Sequence, residues 1–122
     1  MLSEKLCEVF ANEGVVTLIA KGEHFPHAVN TWNHYVRVEE HSLIIPMGGM
    51  QTMEKILATN QDILVTVGSY QVEGMHGQGA GFYLKGHATV CVEGQCYESI
   101  KSQFPWARGI LKVEIETYQQ TV

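Results

Sequence analysis

Basic residues are scarce in this chain: eight Lys and Arg stand against thirteen Asp and Glu, for a formal charge of −5, and no two of the eight are adjacent. Without a basic cluster there is no electrostatic footprint for nucleic acid or for an anionic membrane, so the expected partners are small molecules and other proteins. Cysteine is equally sparse. Cys7, Cys91 and Cys96 are odd in number, and the last two are spaced too widely for the CxxC turn of a redox pair or a zinc knuckle. Free thiols are the expectation. No apolar run approaches the ~20 residues of a membrane span. The opening MLSEKLCEVF has charges where a secretory signal needs its apolar stretch, so the expected location is the cytoplasm. There is no nicotinamide-type GxGxxG fingerprint and no P-loop. No Ser-His-Asp order, carboxylate pair or Cys-His constellation stands out, and no catalytic residue is assigned. His24 and His27 flank a turn, but no third ligand stands at a metal-binding spacing, and no metal is assigned.

What remains is a chain of 122 residues with 45% hydrophobic content, enough for one domain, 1–122, with one modest core. Leu2, Leu6, Val9 and Phe10 share a helical face after a Ser3 cap, which predicts a helix ending near Asn12 with Gly14 as a left-handed stop. VVTLIAKG (15–22) and HAVNTWNHYVRV (27–38) read as two strands joined by EHFP. SLIIPMGG is a third strand that breaks at Pro46 and Gly48-Gly49, and MQTMEKILATN follows with Met50, Met53, Ile56 and Leu57 at helical spacing. DILVTVGS (62–69) and GFYLKGHATVCV (81–92) are strands either side of the glycine-rich YQVEGMHGQGAG. QCYESIKSQF is a helix, and ILKVEIETY alternates as a last strand. The order β-β-β-α-β-β-α-β lacks the βαβ alternation of a doubly wound sheet and predicts a mainly antiparallel barrel with a few short helices.

HAVNTWNHY is unusual for a strand, because Asn is depleted there and two amides flank Trp32. Alternation puts Asn30, Trp32 and His34 on one face and Thr31, Asn33 and Tyr35 on the other. Amides beside Trp32 and Tyr35 suit the edge and plane of a heteroaromatic ring system; the competing reading is a polar edge strand with a core tryptophan. In PMGGMQTM, two glycines let backbone approach a ligand, and the helix start offers free N–H groups to an anion. Together the two stretches suggest a phosphorylated flavin or pyridoxal.

The motifs NEGVV (12–16), PH followed by VNTWN (26–33), PMGGM (46–50), GQGAGF (77–82) and FPWAR (104–108) occur in that order. In them the chain closely resembles the small homodimeric FMN-binding proteins of anaerobic bacteria, minimal members of the flavin reductase and pyridoxamine 5'-phosphate oxidase-like FMN-binding split barrels. The resemblance runs nearly end to end, including the QTV terminus. It implies a mainly β fold, a six-stranded antiparallel Greek-key split β-barrel with short flanking helices, dimeric, with one FMN per subunit near the dimer interface. By the same resemblance Asn30, Thr31, Trp32 and Asn33 line the isoalloxazine, with Tyr35 near its plane. Pro46, Met47, Gly48 and Gly49 run beside the ring or ribityl chain, and Gln51, Thr52 and Met53 meet the phosphate. Trp106 and Val122 reach in from the other subunit. The chain departs from the family where Thr52 and Met53 stand in place of a lysine and a threonine.

In such a protein the flavin carries the redox chemistry while the protein binds, orients and tunes it. Glu13, after the first helix, is a candidate to bias it electrostatically; the competing reading is a solvated helix-end carboxylate. The short chain favours an electron carrier between redox proteins over an FMN-dependent oxidoreductase on a small substrate. A glycine loop at 74–81 folding over the ring as a lid would favour the enzyme, and a flavin storage or sensing module is a third possibility.

Overall fold

The computed structural model describes all 122 residues. Helix α1 (Glu4–Phe10) is followed by strands β1 (Val15–Ala20) and β2 (His27–Trp32), a 3-10 turn (Asn33–Tyr35), and strands β3 (Arg37–Glu39) and β4 (Ser42–Met47). Helix α2 (Gln51–Leu57), strands β5 (Asp62–Glu73) and β6 (Gln78–Cys91), helix α3 (Gln95–Gln103) and strand β7 (Gly109–Gln120) complete it. All pairings are antiparallel, in one seven-stranded sheet of order β2-β1-β5-β6-β7-β4-β3.

The expected count of six strands is therefore corrected to seven. The extra strand comes from the stretch 27–38, which is two strands at opposite edges of the sheet. Two edge strands that follow each other in sequence, joined only by the turn at Asn33–Tyr35, require the sheet to curl until its edges approach, forming a half-barrel. Apart from its two asparagines the stretch is strand-like in residue type, so the Asn33 that opens the turn is the one local sign of it; the tertiary anchoring of Asn33 fixes the turn.

Inside the curl lies a core of 23 buried residues, drawn from α1, α2 and alternate positions of the strands. A second core of six, Ile44, Tyr97, Ile100, Phe104, Ala107 and Ile110, attaches α3 to the outer face of β4 and β7. Strand β4 is thus buried on both faces, which is why, after Ser42, LIIPM is a continuous apolar run rather than an alternating one. Pro46 is tolerated because β3 ends its pairing at Ile44, leaving β4 a single neighbour beyond it.

Ser3 caps α1 as expected, its hydroxyl accepting from the Leu6 N–H at 3.3 Å, a contribution of about 1 kcal/mol. The helix ends at Phe10 rather than Asn12, with Ala11 as its cap. Gly14 is no left-handed stop: a β-carbon there would lie 1.8 Å from the Gly68 carbonyl oxygen, so glycine is needed for close approach of β1's entry to β5. The glycine-rich segment is likewise corrected. β5 continues to Glu73 and β6 begins at Gln78, so only a tight turn separates them, closed by the Gly74 N–H donating to the Gly77 carbonyl at 2.7 Å.

No helix is long and apolar enough to cross a membrane.

Candidate functional site

Strand β2 is laid against β1 so that Asn30, Thr31 and Trp32 face Thr17, Val16 and Val15. The alternation then separates the motif. Asn30 and Trp32 point outward: the Thr17 hydroxyl donates to Asn30 Oδ1 at 2.7 Å, and Trp32 is 55% exposed. Thr31 and Asn33 point inward and are buried. Asn33 Nδ2 donates to the Val9 carbonyl at 2.9 Å and the Gly68 carbonyl at 3.2 Å, its backbone N–H donates to Gly14, and its Oδ1 has no protein donor. One amide of the motif is therefore presented to the surface, and the other ties α1, β5 and the turn together.

The exposed indole borders a groove of about 460 Å³ walled by Glu13, Gly14, Trp32, His34, Gly68, Ser69 and Tyr70. Gly68, Ser69 and Tyr70 also wall a neighbouring hollow of about 360 Å³ that continues past Gly79, Ala80 and Gly81 to Val122. Glycines along this floor keep it flat, and aromatic side chains rise from it, a shape suited to a planar ligand. Val122 is fixed to its own chain, donating its N–H to the Gly81 carbonyl at 3.3 Å and accepting from the Gly81 N–H at 3.2 Å. Glu13 makes no ion pair and stands exposed on the rim. A more capacious hollow of about 620 Å³ is walled by Glu39, Glu40, His41, Ser42, Lys112 and Glu114 without an apolar side chain, and offers a ring nothing to stack on.

The second assembly lies where β4 leaves the core. Pro46 and Met47 are buried, Gly48 and Gly49 are exposed, and Met50 adopts the left-handed conformation, φ 63°, to start α2. Gln51 and Thr52 are exposed, but the Met53 side chain is fully buried in the core. The N–H groups of Gln51, Thr52 and Met53 precede any helical acceptor. Over the elbow stands an aromatic cluster. Tyr35 packs against Trp106 and Phe104 with ring centroids 5.2 Å apart in each case, and Phe104 and Trp106 are 5.6 Å apart. A β-carbon on Gly48 would lie 3.2 Å from the Trp106 ring. Trp106, expected from a partner subunit, thus stands against the elbow of its own chain, while 48% exposed.

His34 joins the two assemblies: it walls the Trp32 groove, and its ring lies 5.7 Å from Tyr35 and 6.3 Å from Phe104. The fold therefore brings Trp32, Tyr35, Gly48, Gly49 and Trp106 into one neighbourhood, with Gln51 and Thr52 next along the chain. It turns Thr31, Asn33 and the Met53 side chain into the interior. Three residues of the neighbourhood have no role assigned from the sequence: Tyr70, Arg108 and His34, the last placed by alternation on one face with Asn30 and Trp32. His34 is two residues beyond Trp32, and its spacing was a usable signal. Tyr70 lies in what read as a loop, and Arg108 reaches its partners only through the tertiary fold.

No family model matches the chain. A curated relative, the FMN-binding protein of Nitratidesulfovibrio vulgaris (strain DSM 19637 / Miyazaki F), is 39% identical over 123 residues, covering all of both chains. Among solved structures, HupZ of Group A Streptococcus superposes with a TM-score of 0.77 at 13% identity, covering 98% of this chain and 94% of that one. An FMN-binding protein from Syntrophomonas wolfei gives a TM-score of 0.74 at 13% identity, covering 98% and 85%. The two structures share the fold at identities too low to carry function; with a relative matched end to end at 39% identity, the chain belongs to the FMN-binding protein family.

Proposed function

We propose that the protein binds one FMN per subunit and works as a small electron carrier between redox proteins. The observation that carries this reading is the joining, through His34, of an open aromatic-edged groove to a glycine elbow that precedes free helical N–H groups. The groove fits a flat ring system, and the elbow fits its phosphorylated side chain. Its two glycines leave backbone exposed, and a β-carbon at Gly48 would fill the space the Trp106 indole bounds. When bound, FMN supplies reversible one- and two-electron chemistry. Asn30 and Trp32 present an amide and a flat surface to the ring, and Tyr35 and Trp106 border it. Gln51 and Thr52 face the phosphate with side chain and backbone. Met53 contributes its N–H alone, since its side chain belongs to the core.

The carrier reading is favoured over an oxidoreductase by the hairpin at 74–77. Its turn is closed internally, and Gln78 Nε2 donates to the Tyr70 carbonyl at 2.8 Å, so this segment is tied back onto its own hairpin, a poor arrangement for a lid. A homodimer belongs to the same proposal: Trp32, Tyr70 and Val122 are large exposed apolar side chains around the groove and its neighbouring hollow, which a second copy would cover. The reading also keeps the protein in the cytoplasm.

Purified protein is expected to be yellow and to release FMN on denaturation. Colourless protein that takes up no FMN would end the flavin reading. Steady-state NADH or NADPH oxidation by the holoprotein, without a protein acceptor, separates the classes: negligible turnover is expected of a carrier, and sustained turnover would establish the oxidoreductase.

A further inference from the structure

The loop between α3 and β7 carries Trp106 to the elbow, and it is held from both ends. On the α3 side, Lys101 Nζ donates to the Pro105 carbonyl at 3.2 Å and the Ala107 carbonyl at 3.0 Å, and the Tyr97 hydroxyl donates to Ala107 at 3.1 Å. On the elbow side, Arg108 makes the whole connection. Its backbone N–H donates to the Met47 carbonyl at 2.8 Å; Nε and Nη2 donate to the Gly49 carbonyl at 3.1 and 2.6 Å; Nη1 reaches the Glu54 carboxylate at 2.9 Å. A single arginine thus reaches the end of β4 with its backbone, and the second glycine and the first turn of α2 with its guanidinium.

We propose that Arg108 is a positioning residue of this site: by locking Gly49 and Glu54 to the 104–108 loop, it sets Trp106 over Gly48 and fixes the elbow before any ligand arrives. The inference rests on the FMN reading for its consequence, but its geometry stands on this chain alone. Glycine at 48 and 49 leaves the elbow many backbone conformations, and neither glycine has a side chain to anchor it. A planar fork with several donors in fixed directions is suited to hold one of them, whereas a lysine has a single flexible ammonium. Holding the carbonyl of Gly49 with charge-assisted bonds also withholds that oxygen from the Met53 N–H, its acceptor if α2 began one residue earlier. Rigidity set in advance removes an ordering cost from ligand binding.

The test uses Arg108→Ala, Arg108→Lys and Glu54→Gln, each also in a Trp32→Phe background so that Trp106 is the sole tryptophan emitter. Acrylamide quenching of the apoprotein reads the indole's freedom, and titration with FMN reads the consequence. Arg108→Ala is expected to fold, because the side chain is a third exposed, yet to raise the quenching constant and to weaken FMN binding by about two- to tenfold, the range for ordering a segment the wild type holds in advance. Arg108→Lys should recover part of both, and Glu54→Gln should show the smallest change because both bonds to Gly49 remain. If Arg108→Ala does not fold, Arg108→Lys carries the test, with a partial rise in quenching expected. Folded variants at Arg108 with wild-type quenching and wild-type FMN affinity would overturn the proposal. Wild-type protein that binds no FMN would instead overturn the flavin reading, and the quenching arm would still decide whether Arg108 positions Trp106.

Discussion

The Asn33 side chain donates to the Gly68 carbonyl at 3.2 Å, across 35 residues of sequence, and the same Nδ2 donates to Val9 at 2.9 Å. One buried amide thereby fastens the 3-10 turn to α1 and to the floor of the groove. Asn33→Ala removes both bonds at a fully buried position, and we expect a loss of about 1 to 3 kcal/mol in urea denaturation of the apoprotein. Asn33→Asp should be worse, because a carboxylate would face two carbonyl oxygens without a donor. A variant within about 0.5 kcal/mol of wild type, the range of neutral surface changes, would mean that the turn is held by other contacts.

This residue also shows where sequence reading ends. The two amides of NTWN were legible as exceptional, and one of them, Asn30, faces outward as a ligand-facing residue would. The other is exceptional because the sheet's two edges must be joined by a turn, and that requirement exists only once all seven strands are placed. Element types and most boundaries followed from periodicity and glycine placement. The strand at 27–38 did not, because its flanks are strand formers and Asn33 reads as a ligand-facing amide rather than as the start of a turn. Arg108 sits in FPWAR, quoted above for its resemblance, but an arginine's partners 54 and 59 positions away leave no trace in local spacing.

Gly48→Ala places a methyl group 3.2 Å from the Trp106 ring, closer than a comfortable contact. Because the indole is half-exposed it can give way, so the fold should survive with little loss of stability. The displaced ring should change the emission of Trp106 and weaken FMN binding severalfold. An unchanged emission spectrum and unchanged affinity would show that the Gly48–Trp106 contact has no part in the site.

Trp32 and Tyr35 border the proposed ring site, and electron-rich aromatics quench flavin emission on contact. Bound FMN is therefore expected to fluoresce weakly, and Trp32→Phe to brighten it. Time-resolved emission of the fully bound variant is the measurement, and an unaltered lifetime would place the ring away from Trp32.

The terminal residues pair with Gly81 through the N–H groups of Thr121 and Val122 and the Val122 carbonyl. Removing residues 120–122 deletes these bonds at the end of the groove together with the last residue of β7, which pairs with Phe82, and leaves the rest of the sheet in place. Weaker FMN retention, a weaker dimer, or both are expected with the β-sheet circular dichroism unchanged. Sedimentation and flavin titration identical to wild type would make the tail an ordinary solvated end.

The resemblance implies a lysine and a threonine where this chain has Thr52 and Met53, so in the proposed reading the phosphate is held without that ammonium. The Met53 side chain is buried, which leaves the Thr52 hydroxyl, Gln51 and the N–H groups at the start of α2. Backbone donors and the helix dipole hold an anion without a basic side chain. FMN should then bind more tightly than riboflavin by roughly 1 to 3 kcal/mol, the range of charge-assisted hydrogen bonds, and calorimetric titration of the apoprotein with both flavins measures it. Thr52→Lys should widen the difference at low salt. Because position 52 is exposed, added salt should erode that gain within the Debye screening expected of a surface charge. Equal affinities for the two flavins would mean that the elbow does not meet the phosphate, and that the anion is held by Lys55 or by a group of a second subunit.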